Sequence, residues 1–291
     1  MNYEKTIKKI RENLKNYLIK NNLKSLVIGV SGGADSALIC ALSYPVCKEL
    51  GVEMIGRFIT IESNKPEEKE RAKNIGKHFC TNFRAINLTE EYIESMFWIT
   101  SFEGDDVVIS YESETEKDKK IRMGNVKARM RMIYLYDLAQ KNKGLVLSTD
   151  NYTELMVGFW TLHGDVGDFG LIQELWKTEV YEMIEWLSDN ELSGKASDSL
   201  RCMLDAVATD GLGITSSDLD QLLPDWKERY TTTREGYKEV DNILEDWLYG
   251  FDENHPARLE ESHPVISRHL RTQFKRDNPL NLKRYQIVVQ K

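Results

Sequence analysis

Apolar positions alternate between two periods along the first half of the chain. Leu26-Val-Ile-Gly-Val30 is a short continuous apolar run, the pattern of a strand buried on both faces, and residues 36–50 follow it with helical spacing. The unit then repeats, with strands expected over 54–60, 83–88 and 144–149 and helices over 65–79, 89–98 and a long stretch ending at 140. Pro45 lacks a backbone donor, so the helix over 36–50 is expected to kink or end near Tyr44. Ahead of the first strand, Ile7, Ile10, Leu14 and Leu18 fall on one face of a surface helix within 1–22. Strands alternating with helices predict an α/β fold built on a doubly wound parallel sheet.

After Asp150 the alternation stops. A Gly- and Asp-rich loop is expected as far as Gly170, then helices over 174–188 and 233–248 and a basic tail over 268–291. Residues 101–120 are charged and poor in apolar residues, which predicts a mobile loop or a solvated helix start. No internal repeat is evident. The expectation is one domain over 1–291, with a core near 22–225 and a helical, basic C-terminal extension over 226–291.

Composition narrows the class. Hydrophobic residues make up 41% and charged residues 30%, and no apolar run approaches the roughly 20 residues needed to span a bilayer, so a cytoplasmic protein with no membrane partner is expected. The net charge of −8 disfavours a nucleic-acid surface, which needs excess cations to displace counterions. Cys40, Cys47, Cys80 and Cys202 show no Cys-x-x-Cys pairing, and the five histidines lack metal-ligand spacing. Reduced thiols are expected, and no structural zinc.

The chemistry begins at Ser31-Gly-Gly-Ala-Asp-Ser36, placed between the first strand and its helix, where backbone N–H groups and the helix dipole attract anions. Gly32 and Gly33 permit close backbone approach, and Ser31 and Ser36 add hydroxyl donors. The competing reading is a tight turn in which Asp35 or Ser36 caps the helix. The motif is not Gly-x-x-x-x-Gly-Lys-Ser/Thr. It resembles instead the PP-loop of ATP pyrophosphatases, enzymes that split ATP between its α and β phosphates and adenylate an oxygen.

Further segments narrow that class. Gly124-Asn-Val-Lys-Ala-Arg-Met-Arg-Met132, Ser148-Thr-Asp-Asn-Tyr-Thr-Glu154, Gly158-Phe, Thr161-x-x-Gly-Asp165 and Lys177-Thr-x-Val180 resemble, in order, the motifs of ammonia-dependent NAD synthetases, over about residues 26–225. The resemblance implies an adenine-nucleotide-alpha-hydrolase-like sheet, without a glutaminase domain. It implies ATP as co-substrate, deamido-NAD and ammonia as the other substrates, Mg²⁺, and a homodimer for which the helix near 130–138 offers a surface. ATP would be held by Gly29, Val30, Ser31, Gly32, Gly33, Ala34, Asp35 and Ser36, with Arg57, Thr149, Lys177 and Thr209. Asp35 and Glu154 would bind the metal, and Asp35 and Lys177 would serve catalysis. Arg129, Asp165, Asp168 and Lys275 would hold deamido-NAD.

Each assignment has a structural rival. Asn151 and Glu154 have the spacing of a capping box. Arg129 shares a helix face with Val126, Met130 and Ile133, which predicts a guanidinium buried against a substrate anion or an internal carboxylate. Lys177 opens a helix, where a cation opposes the dipole; a bound phosphate would explain it, and a solvated lysine is the alternative. Asp165 and Asp168 could simply form turns beside Gly164, Gly167 and Gly170. The chain also departs from the family pattern: Leu162 stands where relatives carry a lysine, with His163 as a substitute cation, 188–207 is longer or rearranged, and Phe274-Lys275 replaces a His-Lys pair. Other readings stay open, namely a GMP-forming or tRNA-modifying PP-loop enzyme, or a non-catalytic nucleotide-binding protein.

Overall fold

A computed structural model describes residues 1–62, 65–101, 114–207, 217–250 and 260–281. Helix α1 (Tyr3–Lys20) precedes three repeats of strand and helix, then a further helix and strand: β1 (Ser25–Gly29), α2 (Ala34–Leu50), β2 (Glu53–Thr60), α3 (Pro66–Phe79), β3 (Asn82–Asn87), α4 (Thr89–Ser101), α5 (Glu116–Lys141) and β4 (Gly144–Ser148). The region expected to be loop after Asp150 holds a short helix, α6 (Tyr152–Val157), and a two-residue strand, β5 (Phe169–Gly170). Helices α7 (Lys177–Asn190), α8 (Gly194–Arg201), α9 (Leu219–Leu222), α10 (Trp226–Arg229), α11 (Thr233–Tyr249), α12 (Pro264–Arg271) and α13 (Gln273–Arg276) follow.

The strands lie in the order β3-β2-β1-β4-β5, all parallel. Side-chain alternation divides the core between the two faces. Leu26, Ile28, Met54, Phe58, Leu145 and Leu147 join α1, α2, α3 and α7 in the larger apolar cluster. Val27, Ile55, Ile59 and Val146 join Tyr92 of α4 and Met132, Leu135 and Ala139 of α5 in the other. The sheet is therefore doubly wound, as the alternation of elements predicts.

Two expectations are corrected, the first being a kink or end of the helix near Tyr44. Helix α2 runs through Pro45 to Leu50 and ends on Gly51 in the left-handed conformation. Proline strands the carbonyl four residues back, that of Ala41. Arg11 of α1 reaches it, donating Nη2 to Ala41 O at 3.5 Å and Nε to Leu42 O at 3.3 Å. A donor from a neighbouring helix thus serves the carbonyl that would otherwise mark a break.

The face of α5 is the second correction. Its buried residues are Gly124, Ala128, Met132, Leu135 and Ala139; the glycine and two alanines let the helix lie close to the sheet while Met132 and Leu135 fill the core. Ile133 is 71% exposed and Arg129 is exposed as well, donating Nε to the Leu162 carbonyl at 3.2 Å. Arg129 is not buried against an anion, because the stripe it shares with Ile133 points outward.

Candidate active site

The strand order places a switch point between β1 and β4, where the chain leaves two adjacent parallel strands in opposite directions. Ligands of such sheets bind in the crevice at the carboxyl ends of these strands. Val27 pairs with Val146, so the segments that follow β1 and β4 emerge side by side although more than a hundred residues separate them.

After β1 the backbone turns on Gly32, whose φ of +84° suits glycine, and whose carbonyl accepts Arg71 Nε at 2.7 Å. Ser36 Oγ lies 3.1 Å from Ser31 Oγ and accepts the Ser31 N–H at 3.2 Å, while Ser31 Oγ accepts the Gly33 N–H at 3.2 Å. These bonds shape the loop from within. The N-cap of α2 is Gly33, with no side-chain cap, so neither Asp35 nor Ser36 plays the capping part and the first-turn N–H groups are left for an anion.

After β4, Thr149 and Asp150 lead into α6, whose N-cap is Asn151. Asn151 Oδ1 accepts the Glu154 N–H at 3.0 Å, and Glu154 Oε2 accepts the Asn151 N–H at 3.4 Å, completing the capping box. The box occupies only one carboxylate oxygen. Glu154 Oε1 is free to accept from Lys177 Nζ at 3.1 Å, so the cap and a site role coexist. Asp35 closes the triangle, with Oδ2 accepting from Lys177 Nζ at 2.5 Å and Oδ1 from Asn151 Nδ2 at 2.8 Å.

Lys177 is not solvated: only 2% of it is exposed. Its ammonium lies 5.8 Å from the Tyr181 ring centre and 5.6 Å from that of Tyr237. Burial alone would strip its proton, but Asp35 and Glu154 outweigh it and hold the ammonium well above its ordinary range. Burial conversely holds the Glu154 carboxyl above the usual carboxylate range, with Asp35 and Asp150 adding to the effect and Lys177 opposing it. Asp150, 5% exposed, is pushed up to about 7 by burial and by the nearby Asp165 and Asp35 charges.

Among the described residues, no group of three or more His, Cys, Asp or Glu side chains is arranged to hold a metal ion. Two converging carboxylates nonetheless suit an ion that takes one or two protein ligands and fills its remaining positions with water and phosphate, the habit of Mg²⁺. The burial that lifts Glu154, together with the nearby Asp35 and Asp150 charges, would be offset by such a cation.

The remaining predicted residues are spread more widely. Arg57 is buried in the middle of β2, its guanidinium donating to Gly56 O at 2.8 Å, Asn82 O at 2.9 Å and Asn82 Oδ1 at 3.2 Å. Asp165 accepts the Thr161 N–H at 2.5 Å and closes the 161–168 turn from within, while Asp168 accepts the Val146 N–H at 2.9 Å and ties the turn to β4. Lys275 donates to Gly158 O at 2.7 Å and to Trp160 O, and burial pulls its ammonium down to about 8. It lines a cavity of about 280 Å³ with Trp160, His163, Gln173, Arg276 and Asn278. Thr209 lies outside the described residues.

Sequence reasoning passed over Asp150, Asp241, Tyr181 and Tyr237. A signal existed for Asp241: it shares the apolar face of α11 with Tyr237, Val240 and Leu244, where an unpaired carboxylate would be costly.

The family model described as NAD synthase matches residues 6–279. An NH(3)-dependent NAD(+) synthetase of Finegoldia magna is 31% identical over 225 residues, covering 77% of this chain and 85% of that protein. Among solved structures, one described as NMN synthetase from Francisella tularensis aligns with a TM-score of 0.71 at 22% identity, covering 97% of this chain and 99% of that one. NH3-dependent NAD synthetase from Campylobacter jejuni aligns at 0.61 and 21% identity, covering 97% and 100%. At those identities the two structures speak for the fold alone.

Proposed function

The chain belongs to the NAD synthase family, and from that premise we propose that it joins ammonia to the nicotinate carboxylate of deamido-NAD, forming NAD and converting ATP to AMP and pyrophosphate. The observation that carries the reading is the meeting of the Ser31–Ser36 loop, Lys177 and two carboxylates at the β1/β4 switch point.

A carboxylate does not condense with ammonia in water, so it must first acquire a leaving group. The nicotinate oxygen attacks the α-phosphorus of ATP, forming an acyl–O–P bond while the bond to pyrophosphate breaks. The first-turn N–H groups of α2, the Ser31 and Ser36 hydroxyls and Lys177 hold the departing charge. Asp35 and Glu154 hold Mg²⁺, which when bound neutralises charge on the phosphates. Ammonia then attacks the acyl carbon, AMP leaves and a proton is released. In this reading Gly29, Val30, Ala34, Arg57, Thr149 and Thr209 complete the ATP site, and Arg129, Asp165, Asp168 and Lys275 the acceptor site. For Lys275 the support is its cavity, whose aromatic and cationic lining suits a nucleotide.

We also read the chain as one cytoplasmic synthetase domain. Trp226, Tyr237, Val240, Leu244 and Val265 lie in the same apolar cluster as β1, which supports treating the helices after 225 as an extension of that core. The exposed Ile133 and Tyr136 on α5 support a homodimer through that helix. No helix among the described residues is long and apolar enough to cross a membrane.

The test is exchange of labelled pyrophosphate into ATP without ammonium. Exchange that requires deamido-NAD, followed by NAD formation once ammonium is added, is the expected result. Nicotinate mononucleotide runs in parallel as a competing acceptor, prompted by the Francisella structure. Exchange supported by xanthosine monophosphate, or by no acceptor at all, would overturn the proposal.

A further inference from the structure

Helix α7 begins at Lys177, and the residue that caps it, Trp176, makes no side-chain cap bond. Glu179 of the first turn accepts the Trp176 N–H at 2.9 Å, and the next two donors are satisfied from other helices. Asp241 of α11, 4% exposed, accepts Thr178 N–H at 2.9 Å and Thr178 Oγ1 at 2.8 Å through Oδ2. Its Oδ1 accepts Thr153 Oγ1 at 2.5 Å, and that same Thr153 oxygen accepts the Lys177 N–H at 2.8 Å. One buried carboxylate therefore ties the neighbour of Glu154 on α6 to the neighbour of Lys177 on α7. Tyr237, one turn earlier on the same face of α11, places its ring 5.6 Å from the Lys177 ammonium. Helix α11 thus meets the lysine at both its backbone and its charged end.

We propose that Asp241, acting through Thr153 and Thr178, is a positioning residue that sets Lys177 and Glu154 in register for the adenylation step. The role rests on the synthetase reading above. It also accounts for a cation at a helix N-terminus, since a carboxylate beside the first turn offsets the dipole that Lys177 opposes. The hydrogen-bond roles are fixed. Thr153 spends its proton on Asp241 and one lone pair on the Lys177 N–H, so the carboxylate orients the hydroxyl that holds the first N–H of α7.

Asp241→Asn keeps the shape and reverses the polarity of one arm. If the amide oxygen accepts from Thr178, the amide nitrogen must donate to Thr153, whose oxygen then faces two donors. For this variant kcat should fall roughly 10- to 100-fold, the scale on which a misplacement of about 1 Å acts, while the KM values for ATP and deamido-NAD stay within about threefold. Thr153→Val should reproduce the kcat loss and Thr153→Ser should restore it, with turnover per mole of folded protein as the measure. The threonine pair decides the matter if Asp241→Asn does not fold. Wild-type kcat in Asp241→Asn with only a lowered unfolding temperature, or equal losses in Thr153→Ser and Thr153→Val, would reduce Asp241 to a structural cap and overturn the proposal. A wild-type enzyme that turns over no acceptor would refute the synthetase reading and this role together.

Discussion

Asp150 gives the fold a pH dependence whose sign can be worked out. The carboxyl lies at the end of β4, accepts Ser148 Oγ at 2.9 Å and is pushed up to about 7 by burial, with Asp165 and Asp35 acting in the same direction. In the unfolded chain it titrates near 3.9. Below about pH 4 it is protonated in both states and costs nothing. Between about 4 and 7 the unfolded chain gives up the proton while the folded chain keeps it, so stability falls as pH rises; above about 7 the loss is complete. Three units at about 1.4 kcal/mol each set an upper limit near 4 kcal/mol. Asp150→Asn keeps an acceptor for Ser148 and removes the titration. Urea unfolding without nucleotide or divalent ions should find the variant close to wild type at pH 4.5 and more stable by about 2–4 kcal/mol at pH 8, with the difference growing in between. A difference independent of pH, or a wild type that is more stable at pH 8, would refute the reasoning. In the proposed synthetase this buried carboxyl adjoins the phosphate loop, and if the site needs its charge the stabilised variant should also turn over more slowly.

Two further outcomes test the frame around the site. Gly32→Ala forces a Cβ to within 2.3 Å of the Glu68 carbonyl at a φ of +84°, so it should lose more than about 2 kcal/mol and raise the KM for ATP; Gly51→Ala, at +64° with no atom within 4 Å, should lose only about 1 kcal/mol and leave kinetics unchanged, as paired denaturation and rate measurements would show. Arg276 donates to Met156 O at 2.6 Å and His269 O at 2.6 Å, serving the C-terminal carbonyls of both α6 and α12, so Arg276→Gln should lower stability by about 1.5–3 kcal/mol, and an unchanged urea midpoint would dismiss the cap.

What could be read from the chain was what depends on near neighbours. The β1 run and the Ser31–Ser36 loop form a contiguous strand, turn and helix, and their geometry follows from residues a few positions apart. The outward face of α5 was misread because bulk was taken as the sign of burial. The stripe of Val126, Met130 and Ile133 splits: Val126 and Met130 pack at the edge of the cluster, Ile133 and Arg129 face outward, and the closest approach goes to Gly124 and Ala128. Pro45 was misread for a related reason. The penalty is local, but its relief by Arg11 comes from another helix.

The charge on Lys177 shows how far a one-dimensional reading could go. A cation at the start of a helix demands negative charge nearby, and a phosphate was one way to supply it. The fold supplies Asp35 and Glu154 at the ammonium and Asp241 at the backbone, all distant in sequence except Glu154, so the demand was legible while its answer was not. That answer still leaves room for a phosphate. A lysine ammonium carries three donors, and two are committed, to Asp35 at 2.5 Å and Glu154 at 3.1 Å. In the proposed reaction the third would meet a pyrophosphate oxygen with both of these bonds kept. A lysine held this way stays charged, fixed and one donor short of saturation, which is the state the proposed leaving-group step requires of it.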